Sequence, residues 1–147
     1  MTIKNLKLIA NNSEDLKVIS AHLQDSIVST LDTANLKKNR IFLLQLSRFM
    51  WEDVEKGVFR KNKRIRTVLK FENVLSVSSR NINPKDKERF LDFLTMESNI
   101  LQDKTYEINL IFSGDVVIKI RAEVIEITLD DQGSPWETKN KPKHNFL

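Results

Sequence analysis

The chain has 147 residues, of which 24 are Lys or Arg and 20 are Asp or Glu, with 40% hydrophobic and 30% charged side chains. A chain of that length forms one domain and buries roughly 70% of its unfolded surface, so neither disorder nor a second domain is expected. With no cysteine, disulfides, iron–sulfur clusters, thiolate zinc sites and cysteine nucleophiles are excluded. Gly57, Gly114 and Gly133 are too scattered for a dinucleotide fingerprint or a phosphate-cradling loop, and His22 and His144 are too few for a histidine-rich metal site.

The net charge of +4 is unevenly placed. Residues 56–70 hold seven basic side chains (Lys56, Arg60, Lys61, Lys63, Arg64, Arg66 and Lys70) and no acid, which leaves the remainder of the chain mildly acidic. The longest purely apolar run, Ile41 to Leu44, is far short of the ~20 residues of a membrane span. Met1 to Asn12 carries Lys4 and Lys7 within its apolar stretch, unlike a secretory signal, so a cytoplasmic address is expected.

In chain order, residues 3–9 read as a short strand. Ser13 is placed to cap a helix whose Glu14 and Asp15 suit the positive end of its dipole. Leu16, Ile19, Leu23 and Ile27 recur on one face. Residues 28–36 predict a threonine-rich strand, Lys37 to Asn39 a turn, and Ile41 to Trp51 a strong, central strand. Residues 52–64 predict a loop.

From Ile65 to Val77 the odd positions Ile65, Leu69, Phe71, Leu75 and Val77 are apolar, with Asn73 marking a bulge or a tight turn that splits the run in two. Asn83 and Pro84 read as a cap and first helical residue, and Phe90 to Glu97 as a strand, although its pattern also fits a helix. Tyr106 to Phe112 and Val116 to Ala122 alternate cleanly around Gly114 and Asp115, which predicts a hairpin. A change of apolar phase between Val124 and Ile125 predicts a second bulge before Ile127 and Leu129. These elements predict an α+β fold: a curved antiparallel sheet of about seven strands closing into a small barrel, with one N-terminal helix over an open side. Residues 1–132 would form the domain and residues 133–147 a surface-lying tail, with Trp136 packed onto the barrel.

Three groups invite a chemical reading. His22, Asp25 and Ser26 have helical spacing, but a hydrolase needs its nucleophile, base and oxyanion hole to converge from different elements; a solvated helix face accounts for them better. Asp130, Asp131, Glu137 and Lys139 are the residue types of a magnesium-dependent nuclease. They straddle Gly133 and Pro135, where a polar turn is the simpler reading. The basic segment is the strongest binding candidate: Arg60, Lys61, Lys63, Arg64 and Arg66 could meet phosphates, with Phe59 as a stacking ring.

Several segments, in this order, carry a resemblance. They are LKLIA before the acidic helix start, SAHLQDSIV (Ser20 to Val28), LLQLSRFMWE (Leu43 to Glu52), FENVLSVSSRNI (Phe71 to Ile82), GDVVIKI with EVIEITLDDQG after it, and PWET from Pro135 towards His144. Across nearly its whole length the chain resembles domain-of-unknown-function family 2948, small uncharacterised alphaproteobacterial proteins. The resemblance implies no activity, cofactor or catalytic residue. It marks His22, Gln24, Asp25 and the Arg48/Trp51 pair as surface features of the family pattern.

The expectation is a cytoplasmic bacterial binding or accessory module without metal or cofactor, engaging RNA first, or an acidic protein, through the basic segment. A small enzyme with His22 and Asp25 as an acid–base pair is one alternative. A protein–protein interaction module, which an exposed apolar patch would favour, is the other.

Overall fold

The computed structural model describes residues 5–52, 62–83, 85 and 87–138. Its elements are β1 (Lys7–Ala10), α1 (Ser13–Leu23), β2 (Ile27–Leu36), a 3₁₀ turn (Lys37–Asn39), β3 (Ile41–Phe49), β4 (Lys63–Phe71) and β5 (Val74–Arg80). They continue with β6 (Phe90–Ile100), β7 (Tyr106–Phe112), β8 (Val116–Ala122) and β9 (Ile127–Glu137). The nine strands form one antiparallel sheet in the order β1-β9-β4-β3-β2-β6-β7-β8-β5.

Alternation decides which residues face inward. Phe42, Leu44 and Leu46 of β3 pair with Phe71, Leu69 and Thr67 of β4, and Ile108 and Leu110 of β7 pair with Ile120 and Ile118 of β8. Apolar members of both sets join one core, which α1 closes by packing against β6, β1 and β3 through Leu16, Ile19 and Leu23. Ser20, also buried, accepts a hydrogen bond from the Met96 amide at 3.0 Å and so ties the helix to β6.

The predicted barrel does not close. β1 and β5 are the two sheet edges. Among the described residues, the backbone hydrogen bond that ties β5 back to the start of β3 runs from the Val74 amide to the Arg40 carbonyl at 2.9 Å. The cause lies in β2, where the register against β3 jumps from Val28↔Leu46 to Thr33↔Leu44. Residues 29–32 therefore stand opposite Gln45 alone, and beyond this bulge β2 resumes pairing with β3 through Leu36 but pairs with no strand on its other side. Only Ile27 to Ser29 pair with β6, and this short junction joins the two halves of the sheet.

Other expectations hold or shift for local reasons. The residue 65–77 run is split at Asn73, whose left-handed backbone (φ 57°) makes the β4–β5 turn. Residues 90–100 are a strand, and the 106–122 hairpin forms in register. At the β6–β7 turn, hydrogen bonds from the Thr105 hydroxyl and amide hold the Asp103 carboxyl below the usual aspartate range, with Arg121 adding to the effect.

The helix is capped by Asn12, whose side chain accepts from the Asp15 amide, and not by Ser13. It stops at Leu23, because Asp25 turns left-handed (φ 61°) and its amide donates to Phe93, so Ile27 begins a strand and does not extend the helical stripe. The phase change at residues 124–125 is a crossing, not a bulge: β8 pairs with β5 and β7, whereas β9 pairs with β4 and β1 in the other half of the sheet. The Asn83 side chain accepts from the Lys85 amide; Pro84 lies outside the described residues. Among the described residues, no helix is long and apolar enough to cross a membrane.

β9 runs on through Glu137, so residues 133–137 belong to the sheet and only the segment beyond Thr138 falls outside the described residues. Trp136 pairs with Arg64 through the backbone but keeps 42% of its surface exposed, so it does not pack down as expected. Main-chain pairing holds this end. Trp136→Ala should thus shift stability by less than about 1 kcal/mol, whereas truncation after Gly133 should lower the melting temperature clearly; paired thermal unfolding curves distinguish the two.

Candidate functional site

β3 places Arg48 on the inward parity of Phe42, Leu44 and Leu46, where alternation calls for an apolar residue. Its side chain is completely buried. β9 brings Asp131 to the same face, two positions after Leu129, and the turn after β3 brings Glu52.

The guanidinium grips both carboxylates. Its Nε donates to Asp131 Oδ1 at 2.9 Å and its Nη2 to Asp131 Oδ2 at 2.7 Å. Nη1 and Nη2 donate to the two oxygens of Glu52, each at 3.0 Å. A longer bond from Nη1 to the Phe49 carbonyl, 3.5 Å, occupies the fifth donor. Asp131 Oδ2 also accepts from the Leu6 amide at 2.9 Å, while the Asp131 amide donates to the Leu6 carbonyl, so the cluster fastens the lead-in to β1. Burial pulls the Arg48 pKa down, but the hydrogen bonds and charges of Asp131 and Glu52 outweigh it and hold the group above its ordinary value. Arg48 thus keeps its charge inside a buried lock, and it is not the surface feature expected.

Arg64 occupies the opposite face. Its Nη1 reaches across β3, donating to the carbonyls of Ser47 (3.0 Å) and Asp25 (3.2 Å), and the guanidinium lies 5.8 Å from the centre of the Phe49 ring. Trp51 stacks edge-on against Phe49, 4.6 Å between ring centres, and donates from its indole nitrogen to the Gln24 carbonyl at 2.8 Å. Trp51 thus packs between Phe49 and the end of α1. Burial lowers the Arg64 pKa, and the Asp25 and Asp92 charges offset this only in part.

Of the five residues expected to bind a polyanion, Arg64 is buried in this arrangement, Lys63 is half-buried and Arg66 is exposed. Arg60 and Lys61 lie outside the described residues, as do Lys56 and Phe59. Arg66 pairs with Ser47 on one side and Gln132 on the other, neither of them charged. Lys70 is 3.1 Å from Glu72, whose carboxyl is held below its ordinary range chiefly by the hydrogen bond from Lys70. Lys37, Lys38 and Arg40 sit at the Phe71 end of the β3–β4 pair, roughly 23 Å from Arg64 by strand rise, and Arg40 pairs with Glu123.

The His22, Asp25 and Ser26 set does not share a helical face, because α1 ends at Leu23; Ser26 is fully buried. Asp130 lies opposite Lys7 on the outer face of β9, pointing away from Asp131, so the acidic pair is divided between two faces. Among the described residues no group of three or more His, Cys, Asp or Glu could hold a metal ion.

These features define an α+β domain whose open antiparallel sheet is locked from inside by an ion cluster and whose β4 carries part of a basic segment. The chain belongs to the family described as Protein of unknown function (DUF2948), which it matches over residues 6–144. No curated protein and no solved structure matches it.

Arg48→Met would leave two carboxylates and no cation in the lock and should cost about 3–5 kcal/mol. Arg48→Lys should rescue little, since one ammonium cannot replace two bidentate grips. The Arg48→Met/Asp131→Leu pair should be destabilised by less than the sum of its single variants. Urea unfolding of the four proteins gives the coupling energy.

Proposed function

We propose that this protein is a small cytoplasmic binding or accessory module that engages single-stranded RNA through Arg60, Lys61, Lys63 and Arg66. The observation that carries the reading is the setting of Arg66: an exposed guanidinium between two uncharged hydrogen-bonding neighbours, on a strand whose preceding sequence is basic and acid-free. A phosphate there meets no carboxylate directly opposite on either strand. Arg64 is left out of the contact set because its donors serve the Ser47 and Asp25 carbonyls.

Four phosphate contacts to a single strand correspond to a slope of about −3 in log affinity against log salt. Fluorescence anisotropy with a labelled single-stranded RNA between 50 and 200 mM salt, about the range over which such contacts lose most of their strength, should return that slope. Changing Arg60, Lys61, Lys63 and Arg66 to Glu should abolish binding. The same change at Lys4, Lys7, Lys104 and Lys119 should weaken it only mildly. Equal losses in both sets would reduce the association to net charge, and no binding at low salt would end the RNA reading.

A second reading, a protein–protein interaction module, is favoured by one feature. Leu31 and Phe90 are 66% and 72% exposed, and the strands that carry them adjoin through the Ser29↔Phe90 pair and the Thr30 amide to Arg89 carbonyl bond.

A further inference from the structure

The bulge of β2 against β3 at residues 29–32 borders a space that the sheet does not fill. It lies between the second half of β2 and the edge strand β5 and has a volume of about 220 Å³. Its floor is the core itself, where Phe42, Leu44, Leu91, Phe112 and Ile118 meet. Its two walls are polar at their tops, with Thr30 and Thr33 on β2 and Ser79 on β5. Ser79 pairs with Ile118, on the inward face of β5, whereas Ser76 pairs with Arg121 on the outward face.

We propose that this cleft binds a small neutral molecule with an apolar ring or short chain and one hydrogen-bonding end. Three observations set that chemistry. The volume exceeds the roughly 150 Å³ of an apolar cavity that admits benzene and falls below the roughly 300 Å³ at which drug-sized pockets begin, which suits a one- or two-ring body. No lining residue is charged, so a cation or anion driven onto the apolar floor would have no counter-charge there. The side chains of Thr33 and Ser79 hydrogen-bond to no other described residue, and the Thr30 hydroxyl, which accepts from the Arg89 amide, retains its proton to donate. The floor therefore holds the apolar body, and the hydroxyls of the two walls meet the polar end.

The site is separate from the Arg66 face, and its test is independent of RNA binding. Indole is a suitable probe: two fused rings with one N–H donor. Titrated into ¹⁵N-labelled full-length protein, indole should shift amide resonances of residues 29–33 and 77–79. Indole-3-carboxylate and tryptamine should bind at least ten-fold more weakly. Ser79→Phe and Thr33→Phe, which fill the cleft from opposite walls, should each abolish the shifts, whereas Ser76→Phe should retain them. Either filling variant suffices if the other does not fold. Absence of localised shifts at millimolar indole, equal affinity for the charged analogues, or persistence of the shifts in a folded filling variant would overturn the proposal.

Discussion

Taking an arginine wholly out of water costs several kcal/mol unless its donors are met by well-placed acceptors, and a partial match leaves the penalty largely standing. Arg48 meets that condition with all five donors: four on carboxylate oxygens and one on a main-chain carbonyl. The geometry demands that β3, β9, the turn at Glu52 and the lead-in to β1 arrive together, because each contributes an acceptor or is held by one. A sheet with two open edges lacks the self-consistency of a closed barrel. The lock supplies some of it by fixing the register of β9 relative to β3 through a strand that lies between them.

The basic run acquires two different meanings once folded. Arg64 is structural: its guanidinium lies over Phe49 and bridges the carbonyls of β3 and of the segment entering β2, which covers an aromatic ring that alternation would have left on the outer face. Arg66, two residues on, is turned to solvent. Two arginines of the same parity on one strand thus separate into a packing element and a surface charge, because only Arg64 has carbonyls and a ring within reach.

Most of the architecture was legible from alternation. The paired strands of the 106–122 hairpin, the division at Asn73 and the N-terminal helix follow from period and turn chemistry alone. Closure was not legible, since it depends on the insertion of residues 29–32 in β2, and Ser29, Thr30, Leu31 and Asp32 show no break in pattern. The lock was half-visible: Arg48 follows Phe42, Leu44 and Leu46 at intervals of two, and Asp131 follows Ile127 and Leu129 likewise, so opposite charges on buried parity could have been paired from sequence. The Arg64 contact was not, because a long side chain reaching across a neighbouring strand leaves no periodic trace. The end of α1 at Leu23 was hidden by Ile27, which continues the helical spacing but serves a strand.

The order of the sheet also bears on how the protein is made. β9, the last strand, is inserted between β1, the first, and β4, so the N-terminal strand has no partner in the sheet until the ribosome has released residues 127–137. The β6-β7-β8 meander, by contrast, consists of neighbours in sequence and can assemble as soon as it emerges. Synthesis therefore leaves an early strand without its sheet neighbour while a later module folds.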